Sequence, residues 1–214
     1  MTLNGICYIF GAGERSSCLD TPAEDSFIIA ADGGFDYLRD LGLQADVVLG
    51  DFDSIRSSQY LPPDSIHYPK EKDDTDMMLA AKLGLENGYT EFAIYGGLGG
   101  RLDHTLANIQ VLAYLARHGA SGILYSDSYA VTVIHDGSVS FPVSHPANQP
   151  ENTCSVFAFD DISVGVSIKG LKYQLSEVNL TNSYPLGVSN EFTGKDVTIS
   201  VEKGTIVVLW YLPE

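Results

Sequence analysis

Cysteine is scarce in this 214-residue chain: Cys7, Cys18 and Cys154, an odd number with no CxxC pair. That excludes a disulfide or thiolate-zinc framework and points to a reduced, cytoplasmic setting. Positive charge is also in short supply. Twelve Lys and Arg face 28 Asp and Glu, a net charge of −16. Nucleic acid or an anionic membrane as main partner is therefore disfavoured, although an acidic protein can bind a polyphosphate if a cation screens it. Long hydrophobic runs are missing too. The longest, "TIVVLWYL" (205–212), is far shorter than the roughly 20 apolar residues a spanning helix needs. The opening "MTLNGICYIF" has neither a basic region nor a long apolar stretch and reads as no secretion signal. With 44 % hydrophobic and 19 % charged residues, the chain has the composition of a soluble globular protein with a real core.

What the chain does contain is a set of short apolar runs ending in Gly or Asp: "ICYIF", "FIIAAD", "DVVLGD", "FAIYGG" and "GILYS". Their length and termini predict buried strands. Helical patterns lie between them, in "GGFDYLRDLGL", in "DTDMMLAAKLGLENG" closed by Asn87-Gly88, and in "RLDHTLANIQVLAYLARHG" closed by Gly119. The alternation predicts an α/β domain, a mostly parallel sheet with flanking helices, over residues 1–130. The texture changes between about residues 126 and 136. From 131 to 214 strand-like runs are split by Asp-Gly, Lys-Gly and Pro turns, "VEKGTIVV" reads as a hairpin, and no helical period occurs. An all-β antiparallel sandwich is expected there.

Three stretches carry candidate chemistry. "GDFDSI" (50–55) places Asp51 and Asp53 directly after an apolar run, where strand alternation would aim both the same way. "KDDTD" (72–76) gathers Asp73, Asp74 and Asp76 around Thr75 ahead of a helix, with Lys70 and Lys72 beside them. Asp32 ends another strand run. Carboxylates at strand ends suit Mg²⁺, which keeps several waters and is shared with substrate phosphates. For either stretch alone, a capping box at Asp73 and Asp76 or an Asx-turn at Asp51 is the commoner reading; their joint occurrence after successive strands favours a metal site. An EF-hand is excluded, because Ile55 and Arg56 stand where that loop needs a polar ligand and Gly, respectively.

The third stretch, "GGLGGRLDHTLANI" (96–109), is a glycine loop between a strand and a helix, suited to close backbone approach and phosphate binding. It is neither a Walker A loop nor a dinucleotide fingerprint. Arg101, His104 and Asn108 share one helix face, while Leu102, Leu106 and Ile109 are expected to form the core stripe. "FGAGE" (10–14) is a weaker glycine loop.

In this order and spacing, "ADGG", "GDFDSI", "YPKEKDDTDMMLA", "GGLGGRLDHTLANI" and "GLKYQLSEVNLTNSYPLGVSNEF" (170–192) resemble the bacterial thiamine pyrophosphokinase family. The resemblance implies transfer of the pyrophosphoryl group of ATP to the hydroxyl of thiamine, giving thiamine diphosphate and AMP, in a homodimer with active sites at the subunit interface. By the same resemblance Asp51, Asp53 and Asp76 hold Mg²⁺. Asp32 with Asp73 or Asp74 organises the site or takes the hydroxyl proton. Lys72 and Arg101 face the ATP phosphates, and Thr75, Gly99, Gly100, Asp103, His104 and Asn108 shape the nucleotide pocket. Ser189 and Asn190 meet thiamine. Alternatives are a pyrophosphokinase acting on a pterin alcohol, a magnesium-dependent phosphatase, and a non-catalytic acidic module that takes Ca²⁺ or a basic partner.

Overall fold

The computed structural model describes residues 5–16, 22–23, 25–141 and 152–212. Cys18 lies outside them. The chain divides into two compact units, 1–127 and 128–214.

The first unit is built on a parallel sheet. Its strands are β1 (Cys7–Phe10), β2 (Phe27–Ala31), β3 (Val47–Gly50), β4 (Ile66–His67), β5 (Glu91–Tyr95) and β6 (Ser121–Tyr125). They run in the order β6-β5-β1-β2-β3-β4, with every pairing between them parallel. The runs "CYIF" and "EFAIY" are apolar nearly throughout because helices bury parallel sheets from both sides. Helices α1 (Gly34–Leu41), α2 (Asp76–Glu86) and α3 (Leu102–Arg117) supply that cover.

Each helix starts and stops for a local reason. The α1 helix ends at Gly42 in the left-handed conformation, φ 72°. On α2 the N-cap is Thr75, whose hydroxyl accepts from the Met78 N–H, and not Asp73. The sequence pattern had offered Asp73 and Asp76 as a capping pair; the shorter Thr75 side chain sits one residue ahead of the helix and takes the role. On α3 the buried stripe is Asn108, Val111, Leu112 and Leu115. The expected stripe of Leu102, Leu106 and Ile109 is incorrect: Leu102 is 70 % exposed and Leu106 57 %. Helical period alone cannot say which of two apolar faces meets the sheet.

The second unit has two antiparallel sheets. Strands β7 (Tyr129–His135), β9 (Thr153–Ala158), β12 (Gly187–Glu191) and β14 (Thr205–Tyr211) form one, in the order β12-β9-β14-β7. Strands β8 (Ser138–Phe141), β10 (Ile162–Lys169), β11 (Leu175–Thr181) and β13 (Val197–Ser200) form the other, in the order β11-β10-β13-β8. Phe141 of one sheet packs edge-on against Trp210 of the other at 4.9 Å, and against Phe192 at 6.2 Å. "VEKGTIVV" is therefore no hairpin. β13 pairs with β10 and β8, and β14 pairs with β7 and β9, so this stretch crosses from one sheet to the other.

Candidate active site

In the first unit the chain reverses its direction of travel across the sheet at β1. β2, β3 and β4 add on one side of it, β5 and β6 on the other. A crevice is expected beyond the carboxyl ends of the strands at such a switch point. Here a cavity of about 890 Å³ opens, lined by the ends of β1, β2 and β5 and the start of α3.

Two glycine loops make one wall. Gly11 N–H donates to Tyr95 O (2.8 Å), Gly13 N–H to Gly96 O (2.7 Å) and Glu14 N–H to Leu98 O (3.1 Å), so "FGAGE" runs along "GGLGG" like an extra ladder. Approach this close requires glycine: a Cβ on Gly96 would stand 2.3 Å from the Gly11 carbonyl oxygen. Gly99 and Gly100 both take left-handed φ, 76° and 61°. Glu14 Oε1 accepts from the Gly100 N–H at 3.1 Å. Beneath the loop, the buried Asn108 amide donates to Gly97 O at 2.6 Å. Asn108 thus fixes the loop from behind.

The opposite wall is acidic. Asp32 follows β2 with a left-handed φ of 49°, a conformation uncommon outside glycine and concentrated at functional sites. Its Oδ2 accepts from the Ser54 hydroxyl, and its buried Oδ1 has no hydrogen-bond partner among the described residues. Gly50 lets the next loop close in, since a Cβ there would stand 3.1 Å from Asp32 Cα. Asp51 Oδ1 accepts from the Asp53 N–H at 3.1 Å across Phe52, itself at φ 64°. The two carboxylates are thus presented by an Asx-turn, not by the strand alternation expected for them. One oxygen each from Asp32, Asp51 and Asp53 lies within 4.8 Å of the others.

Burial pushes the Asp32 carboxyl from 3.8 up to about 6, with Asp76, Asp51 and Asp53 adding repulsion. Three converging carboxylates, one with an orphaned buried oxygen, form an acceptor-only donor set that a hard divalent cation fits.

The other expected residues take up varied places. Lys70 Nζ sits 2.5 Å from Asp53 Oδ2 and holds that carboxyl below its usual range. Lys72 Nζ lies 3.1 Å from Asp76 Oδ1 and donates to Pro69 O at 3.2 Å, with its side chain 14 % exposed. Asp76 therefore stands outside the triad and next to an ammonium. Asp74 pairs with Lys82 at 2.6 Å. Asp73 is exposed and lies outside the cavity's lining. Arg101 precedes α3 and grips Asp103 with two hydrogen bonds, 3.1 and 2.6 Å. His104 lines the cavity from an exposed position. Ser54 and Glu14 were not singled out by their sequence context. Both stand inside stretches that were, but only the folded contacts show that Ser54 orients Asp32 and that Glu14 reaches the loop.

Ser189 and Asn190 belong to the second unit, on β12. Ser189 is left-handed (φ 56°), and Asn190 is buried among backbone groups.

A parallel α/β sheet with an acidic triad and a glycine wall at its switch point is an arrangement suited to an enzyme that handles phosphate together with a divalent cation. Family comparison then sharpens that reading. Residues 20–124 match the model for "Thiamin pyrophosphokinase, catalytic domain" and residues 142–206 that for "Thiamin pyrophosphokinase, vitamin B1 binding domain". The chain belongs to the thiamin pyrophosphokinase family. It is 28 % identical over 191 residues to the thiamine pyrophosphokinase of Bacillus subtilis, covering 87 % of both chains. It is 23 % identical over 166 residues to thiamin pyrophosphokinase 1 of Caenorhabditis elegans, covering 75 % of this chain and 68 % of that one. The crystal structure of the Bacillus subtilis enzyme superposes with a TM-score of 0.81 at 26 % identity, covering 98 % of this chain and 100 % of that one. Thiamin pyrophosphokinase from Candida albicans shares the fold, with a TM-score of 0.77 at 16 % identity over 98 % of this chain and 90 % of that one.

Proposed function

We propose that the chain catalyses ATP-dependent pyrophosphorylation of thiamine at the switch-point cavity of its first unit. The thiamine hydroxyl oxygen attacks the β-phosphorus of ATP. The bond from that phosphorus to the oxygen of the α-phosphate breaks, so AMP leaves and thiamine diphosphate remains. The observation that carries this reading is the convergence of Asp32, Asp51 and Asp53 opposite a glycine wall, with Asp32 Oδ1 lacking a hydrogen-bond donor among the described residues.

Asp32, Asp51 and Asp53 would hold Mg²⁺, with Asp76 beside them. A bound Mg²⁺ supplies neutralisation of phosphate charge, which together with positioning accounts for most catalysis of phosphoryl transfer. The protein's own residues do the rest. Ser54 orients Asp32 through Oδ2. Lys70 and Lys72 offset the negative charge of carboxylates and triphosphate together. The Gly99 and Gly100 backbone gives the phosphates a close approach, held in place by Asn108. Arg101 and His104 face the nucleotide at the mouth of α3, with Asp103 orienting Arg101.

Thiamine meets the β12 segment that carries Ser189 and Asn190, in a homodimer whose active sites lie at the subunit interface. We place the enzyme in the cytoplasm. Two features support that setting: Cys7 and Cys154 are free, buried thiols, raised to about 12 by burial, and among the described residues no helix is long and apolar enough to cross a membrane.

The test is thiamine-dependent AMP formation with and without Mg²⁺, for the wild type and Asp51→Asn. AMP that requires Mg²⁺ and falls at least about hundredfold in the variant supports the reading. Undiminished turnover in Asp51→Asn, or in the presence of excess chelator, would remove the metal site from it.

A further inference from the structure

Besides Asn108, a second side chain holds the glycine loop of the cavity. Glu14 Oε1 accepts from the Gly100 N–H at 3.1 Å, a contact between residues 86 positions apart. The loop makes room for it. A Cβ on Gly99 would collide with the Glu14 carboxyl group, whereas one on Gly100 would meet open space. Gly99 and Gly100 are both left-handed. Glycine populates positive φ about as readily as negative φ, so the loop's own chain does little to fix this shape. A hydrogen bond to a charged acceptor is roughly twice as strong as a neutral one, which suits Glu14 to that task.

Glu14 is itself seated with little freedom. On one side, Gly13 N–H and Glu14 N–H donate to Gly96 O and Leu98 O at 2.7 and 3.1 Å. On the other, the Tyr37 hydroxyl of α1 serves both backbone groups of Ser16. It accepts from Ser16 N–H at 2.7 Å and donates to Ser16 O at 2.8 Å. Tyr37 and Ser16 are both buried, 2 % and 4 % exposed. Between these anchors, the Arg15 guanidinium lies 5.3 Å from the Tyr37 ring centroid and 2.5 Å from Asp40 Oδ2 on the same helix. Residues 13–16 therefore form a strap tied to the glycine loop at one end and to α1 at the other. Tyr37 packs edge-on against Phe10 at 5.4 Å and lies outside the lining of the nucleotide cavity.

We infer that Glu14 is a positioning residue that holds the glycine loop in the shape ATP meets, and that Tyr37 acts on the same loop through Glu14. This rests on the reading of ATP as co-substrate and deepens it at the loop: Glu14 makes no contact of its own with nucleotide or cation. A carboxylate meeting the phosphates directly would repel them. Tied to the Gly100 N–H, its charge is directed at a backbone donor instead. A loop fixed beforehand need not be ordered by the nucleotide, and ordering it on binding would subtract from affinity for ATP.

Steady-state kinetics of four variants test the inference. Initial rates are measured for the wild type, Glu14→Gln, Glu14→Ala, Tyr37→Phe and the Glu14→Ala/Tyr37→Phe double variant, varying ATP and thiamine separately. Glu14→Gln keeps an acceptor oxygen for the Gly100 N–H without the charge; Glu14→Ala removes it. Glu14→Ala should raise KM for ATP on the order of tenfold, the scale of one hydrogen bond to a charged group. KM for thiamine and kcat should stay as they are, because the loop is met alike in ground and transition states. Glu14→Gln should recover most of the loss. Tyr37→Phe should raise KM for ATP by itself and add nothing in the Glu14→Ala background. Glu14→Gln as impaired as Glu14→Ala would mean that the carboxylate meets nucleotide or cation itself, and would overturn the inference. So would an unchanged or lowered KM for ATP in Glu14→Ala, or effects of the two sites that multiply. Should Tyr37→Phe unfold below assay temperature, the comparison of Glu14→Gln with Glu14→Ala decides. Failure of the underlying reading looks different, because the wild type itself would then form no thiamine product.

Discussion

At the scale of single residues, Asp32 concentrates most of the site's tension. Its backbone is left-handed, one carboxylate oxygen is tied to Ser54, and the other is buried without a donor among the described residues. Burial first, then Asp76, Asp51 and Asp53, raises its carboxyl from 3.8 to about 6. A raised carboxyl means the ionised form is disfavoured in the fold. The stability Asp32 contributes is therefore present below pH 3.8 and is lost as pH rises through about 6. Without divalent cations, Asp32→Asn should thus gain melting temperature relative to the wild type at neutral pH, and show no such gain near the acid end of the window. Thermal melts at a series of pH values check this, and a gain that grows toward acid pH would contradict it. Mg²⁺ should raise the wild-type melting temperature at neutral pH. The acidic residues themselves were legible from their positions at strand ends. Their presentation was not, because alternation along an extended strand does not foresee a left-handed Phe52 and the Asx-turn it permits. Sequence grouped Asp76 with Asp51 and Asp53; in the fold one oxygen each of Asp32, Asp51 and Asp53 lies within 4.8 Å of the others, and Asp76 Oδ1 lies 3.1 Å from Lys72 Nζ.

At the scale of elements, strand-helix alternation was readable because each parallel strand is a short apolar run closed by Gly or Asp. The two-residue β4 was not, since "IH" at 66–67 is too short to carry any period. Sheet membership was also hidden. The turn signal in "VEKGTIVV" is the same for a hairpin as for a crossing between sheets, and only packing decides between them. Helix α3 shows the limit most plainly. It carries leucines on two faces, and the sheet takes the one with Val111, Leu112 and Leu115. Leu112→Ala should therefore cost about 2–5 kcal/mol. Leu106→Ala should change stability by no more than about 0.5 kcal/mol. Urea titrations of both variants give the comparison, and equal losses would return Leu106 to the core.

At the scale of the whole molecule, the parallel sheet and its switch-point cavity supply a place for polyphosphate. The β-sandwich unit carries Ser189 and Asn190 on β12. The net charge of −16 is ill-suited to ATP only if the site is taken without a cation. With a divalent ion among Asp32, Asp51 and Asp53 and lysines beside them, the local negative charge is offset, while the remaining acidity suits a substrate that bears a thiazolium cation. The central claim is that the two terminal phosphates of ATP move together to the thiamine hydroxyl. ATP labelled in its γ-phosphate, incubated with Mg²⁺, thiamine and the protein, tests it directly. The account predicts that the label appears in thiamine diphosphate, in amounts equal to the AMP formed. Label released as free phosphate alongside ADP, with thiamine unchanged, would contradict it.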